Sequence, residues 1–160
     1  MDAPLRLIAA NPAGSVLVPG TKVLWGAPFE QAGELGGAGA VPGHGPVDLD
    51  LPLEGRIGGH TSIGVVATNL ALGKADALRI AIMAHDGLAR AVRPVHTPMD
   101  GDTLFVLSTA RLPLPEPKPL ALARLGHIAA DCVTRALARG VYAAEGLGDR
   151  PGYRSLAAGI

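Results

Sequence analysis

The sequence predicts an α/β fold, and three observations carry that prediction. The run SIGVVAT (62–68) is β-branched and apolar at successive positions, the pattern of a strand covered on both faces. Two stretches, Lys74–Arg93 and Leu120–Arg139, carry apolar residues at helical spacing. Between them LFVLS (104–108) reads as another strand, so strand, helix, strand and helix alternate from residue 61 onward.

The elements follow in order. LRLIAA (5–10) and SVLV (15–18) read as short strands around the turn Asn11-Pro12-Ala13-Gly14. Residues 20–59 carry little periodicity, and AGELGGAGAVPGHGP (32–46) is almost pure Gly, Ala and Pro, a long mobile loop by composition. In the first helix the expected stripe is Leu78, Ile82, Leu88 and Val92, with Pro94 as the stop. RLPLPEPKP (111–119) is a stiff connection, Gly140 is the expected end of the second helix, and GLGDRPGYRSL (146–156) is expected to fray. No internal repeat is visible. Residues 1–160 form one domain in this reading, with a first part, 1–60, and a second part, 61–160.

Composition narrows the function classes. The 14 basic and 14 acidic residues leave no net charge and no basic patch, which argues against nucleic acid or an anionic membrane as partner. The longest apolar runs fall far short of the roughly 20 residues that span a bilayer. The start MDAPLRLIAAN has no signal-peptide pattern, and a single cysteine excludes an internal disulfide, so a soluble cytoplasmic protein is expected. With 22 Gly, 14 Pro and 3% aromatics the core must be built from Ala, Leu, Val and Ile. Such a thin core points to burial against other chains or further segments.

Two segments carry candidate chemistry. In GGHTSIGVVATN (58–69) a glycine-rich approach delivers Thr61 to the mouth of a strand. A threonine hydroxyl is a poor nucleophile unless a base removes its proton, and a free α-amine on the same residue is such a base, with a pKa of about 8. An internal Thr61 gains that amine only if the His60–Thr61 bond is cut, and flexible glycines suit the strained geometry of that cut. The same segment also reads as a plain strand opening. In HTPMDGDT (96–103) Asp100 and Asp102, one glycine apart, can hold an ammonium, orient a hydroxyl or bind a cation. They can equally cap a polar turn in which Gly101 takes positive φ. Asn11 can donate its amide to an oxyanion or merely start a turn before Pro12.

The remaining candidates are weaker. His127 and Asp131, four apart on a helix, suit a surface pair. His85 reads as a hydrogen-bonded packing residue, and His96 leads into the aspartate turn. His44 falls in the glycine-rich loop, and Cys132 reads as a buried small apolar residue. No His/Cys spacing resembles a zinc site.

Taken together, the Asn11 turn, TSIGVVATN, the helix ending AHDGLARAVRP and VHTPMDGDTLFVLST resemble the L-aminopeptidase/D-esterase family of N-terminal-nucleophile-like hydrolases. That family includes β-aminopeptidases and the nylon-oligomer (6-aminohexanoate oligomer) hydrolases. Its usual segments are close to NTTIGVVATDA and HTPFDGDTVFALATG. The similarity runs from about Leu5 to Arg139, is strongest from Gly59 to Thr109, and is nearest to the nylon-oligomer branch. The resemblance implies an α/β/β/α sandwich of the aminopeptidase/ornithine acetyltransferase type, incomplete in this chain. It implies Thr61 as nucleophile, freed by self-cleavage between His60 and Thr61, and Asn11, Asp100 and Asp102 as catalytic partners. Thr61 Oγ would attack an amide carbonyl, its own amine would carry the proton, and water would resolve the acyl-enzyme, with no metal or organic cofactor. The implied substrates are small peptides, amino-acid amides or oligoamides, and the implied assembly is a homo-oligomer.

Three departures qualify the match. His60 replaces the Asn or Gly usual before the nucleophile, Asn69 replaces the Asp usual after VVAT, and the family is about twice this length. The part without a counterpart would precede Met1 and includes strands and the branch's active-site Lys. Two alternatives therefore stand beside the hydrolase: a truncated, non-catalytic oligomerising module, and an acyl transferase of the ornithine-acetyltransferase type, against which HTPMDGDT argues.

Overall fold

A computed structural model describes residues 5–37 and 59–158. The chain forms β1 (Leu5–Ala9), a single 3-10 turn (Ala27–Phe29), β2 (Ile63–Leu70), α1 (Lys74–Ala91), β3 (Thr103–Leu112), α2 (Lys118–Ala143) and α3 (Tyr153–Ala158). The strands form one sheet in the order β1-β2-β3. β1 runs antiparallel to β2, with Leu7 opposite Val65, and β3 runs parallel to it, with Val66 opposite Val106. The parallel pair requires a crossover, which α1 supplies. The α/β class expected from the alternation is therefore the observed one.

Side chains alternate across a strand, so each strand has a helix-facing and an outward-facing set. Val66, Leu70 and Leu104 are buried in the main core with Ile80, Leu88 and Val133 of the helices and their flanks. On the other face Leu7, Ile63, Phe105 and Leu107 are exposed, Leu7 at 74% and Phe105 at 57%. Residues 62–68 are thus covered on one side among the described residues, not on both as their composition suggested. The described part is one sheet with its helices on one face, and the further layers of a sandwich are not among its elements.

Small residues govern how the helices meet. Gly87 and Gly126 lie where α1 and α2 press together: a Cβ on Gly87 would stand 2.7 Å from the Val133 Cβ, and one on Gly126 would strike the Met83 side chain. The buried Thr134 hydroxyl donates to the carbonyls of Gly87 and Ala130, both at 3.0 Å, stitching the same contact. The buried stripe of α1 is Ile80, Ala84, Gly87, Leu88 and Ala91. That corrects the expected stripe: Leu78 and Ile82 face outward, 62% and 53% exposed. The reason is that the close approach to α2 selects the side with glycine and alanine, not the side with the larger aliphatics.

Other boundaries also differ from expectation. Residues 15–18 form isolated bridges, Ser15 to Arg93 and Leu17 to Leu24, instead of a strand. α1 stops at Ala91 with Val92 already extended, two residues before Arg93. β3 continues to Leu112, into the segment read as a connection, because Leu112 pairs with Leu70 past an irregularity in β2. α2 starts at Lys118, with Pro119 in the first turn where its missing N–H costs nothing, and runs through Gly140 to Ala143. The tail expected to fray carries α3, whose Tyr153 donates to the Lys22 carbonyl at 2.7 Å and packs on Tyr142. The part of the glycine-rich loop beyond residue 37, His44 included, lies outside the described residues.

The two helical glycines predict opposite signs. Gly87→Ala should destabilise the chain by about 1–3 kcal/mol through overpacking. Gly140→Ala, where a Cβ would meet nothing within 4 Å, should stabilise it by about 0.5–1 kcal/mol through helix propensity. Urea unfolding midpoints of the two variants against the parent check both.

Candidate active site

The hydrogen-bond ladder of the sheet does not stop where the strands end. Upstream of β2 and β3, His60 bridges to Asp100 in the parallel sense. The Gly101 amide donates to the His60 carbonyl at 2.9 Å, and the Thr103 amide to the Ser62 carbonyl at 2.9 Å. On the opposite edge, beyond the end of β1, the Thr61 amide donates to the Asn11 carbonyl at 2.9 Å. One peptide group, His60–Thr61, is therefore held from both sides. The Thr61 hydroxyl lies on that same group, donating to the His60 carbonyl oxygen at 2.6 Å.

Gly101 has a steric reason to be glycine. A Cβ there would stand 2.7 Å from Thr61 Oγ1. The turn reading assigned it positive φ, but it is not among the residues in that region. What the position needs is absence of a side chain beside the hydroxyl. The Asn11 amide donates to the Gly59 carbonyl at 3.0 Å, one peptide upstream of His60–Thr61. The His60 oxygen thus receives the Gly101 N–H and the Thr61 hydroxyl, not the Asn11 side chain.

The two aspartates occupy different surroundings. Asp100 accepts from the Ala13 amide at 3.0 Å, the Thr97 amide at 3.1 Å and the Thr97 hydroxyl at 2.7 Å, tying the Asn11–Ala13 turn to the turn before β3. Burial raises its pKa, but the Thr97 hydroxyl, the two amides and the nearby His60 outweigh that and hold it below the ordinary value. Asp102 has a side chain only 2% exposed. Its Oδ1 accepts from the Ser62 amide at 2.9 Å, and its Oδ2 lies 2.9 Å from His96 Nδ1. The ring N–H does not point squarely along that contact, and Oδ2 has no other donor.

His96 is the residue that sequence reasoning missed. Its backbone has φ of 56°, a left-handed conformation rare outside glycine, next to the Thr97 that Asp100 grips. Behind it, His85 Nδ1 lies 3.4 Å from His96 Nε2, with the ring centroids 4.9 Å apart. Burial, ahead of the neighbouring His96, lowers the pKa of His85, while Asp102 and Asp86 oppose the shift. His60, beside the peptide bond in question, has a buried Nδ1 without a hydrogen-bond partner. The only signals in the sequence were a histidine six residues before an aspartate and another one helix back.

The remaining candidates stay apart from this cluster. Asp131 pairs with Arg90 at 2.6 Å and more loosely with His127 at 3.5 Å, so the helical pair is real but secondary. Cys132 is buried, as expected. Among the described residues no group of three or more His, Cys, Asp or Glu could hold a metal ion, and no helix is long and apolar enough to cross a membrane.

Comparison with known proteins adds the lineage. A protein of Mycobacterium tuberculosis (strain ATCC 25618 / H37Rv), named as an uncharacterized aminopeptidase, is 37% identical over 164 residues, covering 94% of this chain and 46% of its own length. A Mycobacterium leprae protein of the same description is 42% identical over 103 residues, covering 59% of this chain and 28% of that one. The 6-aminohexanoate-oligomer endohydrolase of Paenarthrobacter ureafaciens is 37% identical over 57 residues, covering 36% of this chain and 16% of the enzyme. The chain thus spans about half the length of that Mycobacterium tuberculosis relative. The model of peptidase family S58 matches residues 6–154, and the chain belongs to that family.

Proposed function

We propose that this chain carries the nucleophile-bearing part of an amide hydrolase that cuts itself between His60 and Thr61. The observation that carries the reading is the Thr61 hydroxyl seated 2.6 Å from the His60 carbonyl oxygen while the Gly101 amide donates to that oxygen. In self-cleavage Thr61 Oγ attacks the His60 carbonyl carbon. The developing oxyanion is met by the Gly101 N–H, the C–N bond breaks, and the Thr61 nitrogen takes a proton. Water then hydrolyses the ester, leaving a carboxylate on His60 and a free α-amine on Thr61. The division into residues 1–60 and 61–160 follows from this cut.

The free amine next serves as base for the same hydroxyl on an external amide, and water resolves the acyl-enzyme. In this reading Asp100, whose oxygens are taken by Ala13 and Thr97, holds the Asn11 turn in place. Asp102 faces the segment that carries the new amine. The names of the relatives, aminopeptidase and 6-aminohexanoate-oligomer endohydrolase, support small peptides, amino-acid amides or oligoamides as substrates.

A second reading is a non-catalytic, oligomerising module, and one observation favours it. The apolar outer face of the sheet, with Leu7, Ile63, Phe105 and Leu107 exposed, offers a surface that an oligomerising module would cover.

Intact-mass measurement separates the two readings. The parent chain should yield a fragment beginning at Thr61, and Thr61→Ala should remain whole and lack amidase activity; a persistently uncut parent chain would favour the module. Asp100 makes a separate prediction about pH. Its carboxylate has a lowered pKa in the folded chain, so its stabilising contribution is present above the unfolded value and is lost as pH falls through the folded one. The stability gap between the parent and Asp100→Asn should hold at neutral pH and close from about pH 5 downward. Urea titrations across that range measure it.

A further inference from the structure

The histidine pair beside the candidate nucleophile has no role in the chemistry described so far. His96 reaches Asp102 from the turn before β3, and His85 reaches His96 from α1. The two contacts use opposite nitrogens of the His96 ring: Nδ1 toward the carboxylate, Nε2 toward His85. That arrangement admits one consistent order of donors and acceptors. With its hydrogen on Nδ1, His96 can donate to Asp102 Oδ2 and accept at Nε2 from His85 Nδ1–H. Burial favours the neutral form of His85, which agrees with this direction.

We propose that His96 is a positioning residue for the reaction assigned to Thr61, acting through Asp102, with His85 holding the His96 ring. The inference rests on the reading of Thr61 as nucleophile. Three observations carry it. First, the Asp102 side chain is 2% exposed, and its Oδ2 meets no aligned donor. A buried carboxylate oxygen in that state is costly, and His96 is the group within reach to answer it. Second, the other oxygen of the same carboxylate holds the Ser62 amide, one residue from Thr61. The orientation of Asp102 therefore bears on the nucleophile's backbone. Third, His96 adopts a left-handed backbone at φ 56°, an unfavourable conformation for a side-chain-bearing residue. The neighbouring grip of Asp100 on Thr97 holds it there, and the result aims the ring back at Asp102. Once the Thr61 amine is free, a fixed Asp102 keeps its direction; an unfixed one can turn away or be left unpaired.

The test uses two substitutions that both accept a left-handed backbone. His96→Gly removes the ring without backbone strain. His96→Asn also tolerates positive φ and sets an amide N–H near the place of Nδ1. Thermal unfolding first establishes that both variants fold. The expected result is that His96→Gly slows appearance of the Thr61 terminus, and amide hydrolysis after it, on the order of 10- to 100-fold, the cost of one charge-assisted hydrogen bond. His96→Asn should recover most of that loss. Equal rates in the parent and His96→Gly would overturn the role, as would equal losses in two folded variants, since a purely space-filling ring gives no rescue by a donor. A second readout is independent of turnover. Long-range proton–nitrogen spectra of histidine-labelled full chain, carrying Thr61→Ala to keep it uncut, should show the His96 hydrogen on Nδ1, and Asp102→Asn should shift that nitrogen. A hydrogen found on Nε2 instead would sink the proposal whatever the rates. A parent chain that never gains a Thr61 terminus would sink the nucleophile reading and this role with it, whereas normal cleavage indifferent to His96 would sink this role alone.

Discussion

The rest of the structure is arranged around one clamped peptide group. The Thr61 amide is committed to Asn11 on one side, and the His60 carbonyl is committed to Gly101 on the other. A backbone group in the middle of a sheet is held this way as a matter of course, because each strand has two neighbours. Here the clamp acts beyond the regular strands, where the chain enters β2 from a glycine-rich approach. It depends on the sheet order β1-β2-β3, which puts the Asn11 turn and the Gly101 turn on either side of the same residue. If β2 were an edge strand, one half of the clamp would be missing and the hydroxyl would face a freely rotating peptide.

The packing beneath the site explains how a chain with few aromatics holds that sheet still. Aromatic side chains supply bulk, and 3% of them supply little. The chain substitutes proximity: glycine and alanine let α1 and α2 approach until backbone and Cβ atoms touch, and Ile80, Leu88, Val133 and Leu137 fill what remains. The consequence is a core on one face only. Apolar Leu7, Phe105 and Leu107 on the far face are more than half exposed among the described residues. That asymmetry agrees with a chain that spans about half the length of its fuller relatives.

How much of this was legible in the sequence depended on whether the signal was local. Periodicity located β2, β3 and both long helices, and two motifs in order pointed to Thr61, Asn11, Asp100 and Asp102. The failures were of contact. Nothing in the spacing of α1 says that α2 will press on its glycine side, so Leu78 and Ile82 were expected inside. Gly101 looked like a turn glycine, yet its constraint is the Thr61 hydroxyl, forty residues earlier in the chain. His96 was read only as the lead into the aspartate turn for the same reason. A histidine six positions from an aspartate carries no meaning until a left-handed residue turns it back.

Counting hydrogen bonds separates two aspartates that the motif presents as a pair. Asp100 takes three donors, from Ala13 and Thr97, and these hold its pKa down against burial. Three such donors make a carboxylate a good anchor and a poor general base, because they occupy most of its roughly four lone-pair sites and its proton affinity is low. Asp102 takes one aligned donor, the Ser62 amide, and keeps an oxygen turned to a histidine. In a buried site an acceptor with spare capacity is where a new cation will be drawn, since both groups gain from the pairing. In the proposed self-cleavage such a cation would be the protonated Thr61 amine, one residue from the amide that Asp102 already holds. The two carboxylates would then divide the work, Asp100 fixing the Asn11 turn and Asp102 answering the charge on that amine.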